Sequence, residues 1–167
     1  MDFEVIQGDI AAQSADVLVN AANTSLHMGS GVAGALKRAA GGGLDDEAVS
    51  KGPVELGGVA TTDAYDLDAE YVIHAAAMPP GGSSTADSIR DATRHALEEA
   101  DALDCESMVL PALGCGIAGF DFESGVRIIC ETIAAFDPGS LENVRLIAYS
   151  DDDYERIRRV ADEGRTA

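Results

Sequence analysis

Two glycine-rich stretches carry the pattern G-x-G-x-x-G: Gly29, Gly31 and Gly34 in GSGVAG, and Gly114, Gly116 and Gly119 in GCGIAG, eighty-five residues later. Glycines at this spacing let backbone N–H groups approach an anion closely, and a helix opening directly after the loop adds its own N-terminal partial charge. The chemistry on offer is main-chain binding of phosphate, which needs no lysine. The dinucleotide fingerprint of a Rossmann domain is the first candidate. It requires a strand running straight into the first glycine and an acid closing the next strand about 20 residues on. Eight residues, AANTSLHM, separate the strand-like VLVN from Gly29, and Asp45–Glu47 lie in GGGLDDEAVSKGP, which contains no strand-like run. Gly114 follows the fifth strand rather than the first, and a helix lies where the acid should be. Either loop alone could be a turn that holds no ligand, but two of them, each at the ligand edge and before a helix N-terminus, favour anion binding for another purpose.

The elements that must position them alternate regularly. Apolar runs predict strands at Phe3–Gln7, Val17–Asn20, Val59–Thr62, Tyr71–Ala75, Met108–Leu110 and Val144–Tyr149. Helical spacing marks Val32–Ala40, then Thr85–Leu103 with Ser84 or Thr85 as cap. A third helix runs from Phe122 to Phe136, stopped by Pro138, and a last one begins at Asp151–Asp153 and carries Ile157 and Val160. Such alternation predicts a layered α/β domain with a mostly parallel sheet, whose ligands sit beyond the carboxyl ends of the strands. Both glycine loops fall there.

Composition bounds the rest. A chain of 167 residues, 46% hydrophobic, fits one domain over 1–167. No apolar run reaches the ~18 residues of a membrane span, and MDFEVIQGDI lacks the basic start of a signal peptide, which predicts a cytoplasmic protein. Cys105, Cys115 and Cys130 form no C-x-x-C pair and no histidine–carboxylate cluster has metal-ligand spacing, so neither disulfide, metal nor cofactor is expected. Thirty acidic residues against eleven basic ones, only two of them lysines, give a net charge of −19 spread along the chain. Acid at this density repels itself unless salt screens it, which predicts a high-salt cytoplasm, and it disfavours broad nucleic-acid binding.

Five motifs, GDI at Gly8–Ile10, ADVLVNAAN at Ala15–Asn23, GSGVAGALKRAAG at Gly29–Gly41, YVIHAA at Tyr71–Ala76 and LPALGCGIAGF at Leu110–Phe120, resemble those of the macro domain family in order and spacing, from Gly8 to about Tyr149. The resemblance implies a three-layer α/β/α fold with a mixed central sheet and a cleft for ADP-ribose, free or attached to protein. It implies that Asp9 accepts from the adenine amine, with Ile10 supporting that end; a cap on the following helix is the alternative for Asp9. Asn23 matches the residue that hydrogen-bonds the distal ribose, and it is the one catalytic candidate, whereas Asn20 matches a structural position that holds the loop. Gly29, Ser30, Gly31 and Val32 match the first phosphate loop, and Gly114, Cys115, Gly116, Ile117 and Ala118 the second. Tyr149 stands where the family places a residue against adenine, or else is an ordinary strand-end core tyrosine.

Other residues read as structural. Cys115 has no partner histidine and fills a position where the family has a small residue. His74 ends a strand as a hydrogen-bonded structural histidine, and His95 falls on an exposed helix face. Two departures weigh against turnover: Ala33 stands where hydrolytic members often carry an acid, and Ala118 replaces an aromatic residue or asparagine near the distal ribose. Binding of ADP-ribose is thus better supported than its alternative, hydrolysis of ADP-ribosyl groups from acidic residues or of O-acetyl-ADP-ribose. A nucleic-acid or general nucleotide domain comes third.

The charge yields the first prediction. The Debye length shrinks from ~10 Å at 0.1 M salt to ~3 Å at 1 M, so self-repulsion fades as KCl rises. The melting temperature should climb with KCl, and a flat profile from low to molar salt would contradict a high-salt origin.

Overall fold

The structure, a computed structural model, describes every residue except Ser30, residues 116–119 and Ala167, and the backbone alone of Thr166. Its six strands are β1 (Glu4–Gln7), β2 (Val17–Asn23), β3 (Val59–Asp63), β4 (Tyr71–Met78), β5 (Ser107–Leu110) and β6 (Asn143–Ala148). They form one sheet in the order β1-β6-β5-β2-β4-β3. Every neighbouring pair is parallel except β3 with β4, which is antiparallel, so the sheet is mixed. The helices are α1 (Gly31–Ala40), α2 (Leu44–Ser50), α3 (Ala86–Ala102), α4 (Phe122–Ala135) and α5 (Asp151–Thr166).

Strand alternation sorts the apolar residues into two layers. Val17, Val19, Ile73 and Ala75 face α3, α4 and α5, packing with Ile89, Leu97, Val126, Ile129 and Ile157. Leu18, Val72 and Ala22 face the other way, against Leu36 and Ala40 of α1 and Leu44 and Ala48 of α2. The result is the expected three-layer α/β/α fold.

Helix ends are set by local chemistry. Thr85 rather than Ser84 caps α3, in a capping box: Thr85 Oγ1 accepts from Ser88 N–H at 3.0 Å and Ser88 Oγ accepts from Thr85 N–H at 2.8 Å. Asp121 caps α4 by accepting from Ser124 N–H at 2.9 Å. Phe136 is the C-cap of α4 rather than a helical residue, its backbone extended at ψ 133.

Three expectations need correction. Strand β2 runs on to Asn23, three residues beyond Asn20, so NAAN is strand and not loop. Alanine has little intrinsic strand preference, but Ala21 and Ala22 pair with Ala75 and Ala76 in a sheet too tightly covered for larger residues. Strand β4 continues to Met78 for the same reason. Finally, GGGLDDEAVS holds the short helix α2, which has no side-chain cap and starts from Gly43 at φ 88.

Between the sheet and α2 lies a buried polar chain. Asn20 Nδ2 lies 3.0 Å from His74 Nδ1, and His74 Nε2 lies 3.0 Å from Thr62 Oγ1. The Thr62 hydroxyl donates to Asp63 O at 3.0 Å, so its oxygen accepts from Nε2–H, and Nδ1 accepts from the Asn20 amide. Asn20 is structural as expected, but it braces β4 rather than a loop. Burial is the main cause that pushes the His74 pKa down to about 4; Glu47 and Asp45 act upward and Lys51 downward. Folded His74 is therefore neutral where an unfolded histidine, with pKa near 6.5, still takes a proton. Between pH 6.5 and about 4 the unfolded chain binds more protons, so stability falls as pH drops through that window. His74→Gln should remove this slope, worth a few kcal/mol. Urea unfolding of parent and variant at pH 7.5 and 4.5 measures it, and identical pH dependence in the two proteins would refute it.

Candidate functional site

The carboxyl ends of four adjacent parallel strands carry the predicted residues in spatial order. Asp9 follows β1, Tyr149 follows β6, Gly114 follows β5, and Asn23 ends β2 ahead of Gly29–Gly31. Neighbouring strands lie about 4.8 Å apart, so the four ends line an edge suited to an elongated ligand.

At the β1 end, Asp9 caps the single 3-10 turn Ile10–Ala12, its Oδ1 accepting from Ala11 N–H at 2.9 Å. The cap occupies one carboxylate oxygen; Oδ2 has no partner among the described residues, so a second donor can still be served. Ile10 is 4% exposed and packs in the α1/α2 layer, which fixes the turn. Tyr149 lies one residue past β6 and is 81% exposed, which rules out its reading as a core tyrosine and leaves its ring open to a ligand.

At the β2 end, Asn23 folds its side chain into a turn. Its Oδ1 accepts from Ser25 N–H at 2.9 Å and from Ser25 Oγ–H at 2.6 Å, which leaves Nδ2 as the group able to serve a ribose hydroxyl. Buried Leu26 sits at φ 64, an uncommon backbone for a leucine, and Thr24 N–H donates to Met78 O at 3.1 Å, tying the turn to β4.

The first loop shows what each glycine of its pattern does. Gly31 begins α1 at φ +63 with open space where a Cβ would be. Gly34 is needed for contact: a Cβ there would lie 2.7 Å from Gly29 O, so only glycine lets α1 dock on the loop. Val32 is half-buried against the α1/α2 layer. The loop is also held from α2, where Asp45 Oδ1 accepts from Met28 N–H at 3.0 Å and Oδ2 meets Lys37 Nζ at 3.4 Å. The Met28 N–H bond is the chief cause that lowers the Asp45 pKa, with Lys37 and His27 adding to it against some burial.

The second loop is built around Gly114, at φ +70, where a Cβ would lie 2.9 Å from Ser84 Cβ and 3.0 Å from both Ala77 Cβ and Ile89 Cγ1. Ser84, displaced from the capping role, donates its hydroxyl to Gly114 O and ties α3 to the loop. A bridge between Cys115 and Phe120 closes the loop's ends. Cys115 N–H donates to Ala112 O at 3.3 Å and its thiol to Leu113 O at 3.4 Å, so neither group is free for a ligand. Its Sγ packs on α4 where a side chain at Gly125 would collide, and burial, ahead of Cys130 and Asp121, pushes its pKa up to about 12. The expected contacts of Ser30, Gly116, Ile117 and Ala118 lie outside the described residues.

Asp45 is the residue that the sequence reading missed. From the sequence it reads only as an acid at Rossmann distance, because the glycine start and seven-residue length of α2 give no periodicity to read.

Comparison with known proteins places this geometry. The macro domain family model matches residues 19–129, a span holding Asn23 and both glycine loops but neither Asp9 nor Tyr149. An uncharacterized protein of Mycobacterium tuberculosis is 39% identical over 151 residues, 90% of this chain but 42% of that protein. The chain thus spans about two fifths of the length of its mycobacterial relatives. An uncharacterized protein of Aquifex aeolicus is 38% identical over 161 residues, covering 96% of this chain and 98% of its own length. Among solved structures, the Oceanobacillus iheyensis macrodomain with ADP superposes with a TM-score of 0.85 at 25% identity, over 96% of this chain and 90% of that one. The Trypanosoma brucei macrodomain in complex with ADP-ribose gives 0.82 at 26% identity, over 93% and 67%. With its motifs in order, its three-layer fold and a family match across both glycine loops, the chain belongs to the macro domain family.

Proposed function

We propose that this chain binds ADP-ribose, free or carried on a protein, along the carboxyl edge of its sheet. The observation that carries the proposal is the order of the four strand ends: an amine acceptor at β1, an exposed ring at β6, one glycine loop at β5 and another beyond β2. An adenine, a diphosphate and a distal ribose follow one another in that order along the ligand. That two solved relatives hold ADP or ADP-ribose supports a ligand of this class.

The diphosphate is held by main-chain donors in glycine-shaped loops, as a chain of net charge −19 requires. Asp9 Oδ2 accepts from the adenine amine while Oδ1 keeps the turn in place, and Asn23 Nδ2 donates to the distal ribose. Hydrolysis has less to draw on. Ala33 holds no proton-accepting group, Asn23 takes no proton at neutral pH, and Cys115 stays a thiol. General-base help is worth about 10²–10⁴-fold, and without it slow turnover must rely on positioning and on water activated by the bound phosphate. We place this binding in a salt-rich cytoplasm, from the charge alone.

Calorimetry with ADP-ribose in molar KCl tests the reading. Asp9→Ala should weaken binding by ~1.5–3 kcal/mol, the scale of a hydrogen bond to a charged group. Gly31→Glu should weaken it further, since its side chain enters the open space beside the loop with a negative charge. A folded variant of either kind that binds like the parent would displace the site. Incubation with glutamate- or aspartate-ADP-ribosylated protein should release little ADP-ribose, and rapid multiple turnover lost in Asn23→Ala would make the chain a hydrolase instead.

A further inference from the structure

Between the turn at Asn23 and the first glycine loop, the described residues Leu26–Gly29 form neither helix nor strand, yet the loop must present its N–H groups in one arrangement. Two contacts fix it beside Gly29. On one side Gly29 O rests against the bare face of Gly34. On the other, Met28 has its side chain buried at 4% exposure and its N–H held by Asp45 Oδ1 at 3.0 Å. The second Asp45 oxygen reaches Lys37 on α1 at 3.4 Å, so one carboxylate joins α2, α1 and the loop between them. Lys37 is one of only two lysines in the chain, and the other, Lys51, also pairs with α2, at Glu47 and 3.1 Å. Glu47 in turn accepts from Asp63 N–H at 3.2 Å and from Tyr65 Oη–H at 2.8 Å, which anchors α2 to the end of β3. The first turn of α2 is thus a brace, joined to the loop through Asp45 and to the edge strand through Glu47.

We propose that Asp45 is a positioning residue for ligand binding, holding Met28 and Gly29 in place where the chain enters the first glycine loop. The inference rests on the reading of this edge as an ADP-ribose site. Asp45 touches no ligand in that reading. Its part is to order the loop before the ligand arrives, so that the cost of fixing the backbone is not taken from the binding energy. The Lys37 partner matters for the same reason, because it offsets a negative charge that would otherwise stand near the anion.

Four variants test this: Asp45→Ala, Asp45→Asn, Asp45→Glu and Lys37→Met. ADP-ribose affinity is measured by calorimetry in molar KCl, far below each variant's own melting temperature, and Met28 amide exchange by NMR in the ligand-free proteins. Fixing one residue's backbone is worth about 5- to 30-fold in an equilibrium, so Asp45→Ala should weaken binding by that factor and expose the Met28 amide to exchange. Asp45→Asn keeps an acceptor at Oδ1 and should stay within about threefold of the parent. Asp45→Glu keeps the charge but misplaces the acceptor, and should weaken binding even if Asp45→Ala fails to fold. Lys37→Met should fall between the parent and Asp45→Ala. A merely structural contact would lower the melting temperature and leave affinity unchanged, so Asp45→Ala or Asp45→Glu binding like the parent overturns the inference alone. A parent that fails to bind ADP-ribose overturns the site reading and the inference together.

Discussion

The carboxyl edge of this sheet takes its shape from two glycines at which the main chain packs too closely for a Cβ, against main chain at Gly34 and against side chains at Gly114. At Gly34 helix α1 presses on the carbonyl of Gly29, and at Gly114 the end of β5 fits between β4 and the start of α3. A methyl group at either position would hold the partners apart. The contacts differ in what they demand. Gly34 needs only the missing Cβ, whereas Gly114 needs that and a backbone at φ +70, which L side chains rarely adopt. From the Gly114 contact follow the placing of Ser84 on its carbonyl and the shift of the α3 cap to Thr85. The pattern G-x-G-x-x-G is thus a rule about approach distances that several folds can share.

The same geometry explains how an acidic chain can hold an anion. Long-range repulsion from a net charge of −19 acts over the Debye length and is weakened by salt, whereas a main-chain N–H at hydrogen-bond distance is hardly screened at all. Net charge therefore acts on the approach of any anion over a distance that salt sets, whereas main-chain donors act only at contact. Most basic side chains are committed within the fold: both lysines and seven of the arginines pair with carboxylates on or between helices, and Arg145 donates to Ser14 O, while Arg38 lies beside Gly34 near the first loop.

What could be read from the residues follows the strength of the local signal. The apolar strands and α3, α4 and α5 were legible because their periodicity is long or, as with Thr85, a cap is explicit. The alanine-rich ends of β2 and β4 were not, because alanine takes the strand form there only through pairing across the sheet. Helix α2 was illegible for a different reason. Seven residues starting from a glycine carry two buried apolar positions, Leu44 and Ala48, and its acids look like any solvated run until Met28 and Lys37 are seen beside Asp45. The candidate site divides the same way. Motif order points to the edge, but the capping bond of Asp9, the exposure of Tyr149 and the inward thiol of Cys115 are facts of packing.

That division bears on chemistry as well as on placement. The titratable groups set around the described part of the edge are largely tied to the fold: one Asp9 oxygen to its turn, Asp45 to Met28 and Lys37, His74 to Asn20 and Thr62, and the Cys115 thiol to Leu113 O. A general base needs a pKa near the working pH and freedom to take a proton. His74 fails on both counts, being driven to about 4 by burial and enclosed by its partners, while Cys115 is displaced the other way, to about 12. Buried groups that hold a frame rigid are shifted away from neutral titration by the same burial that makes them rigid. Neither His74 nor Cys115, set in this frame, is free to take a proton near neutral pH.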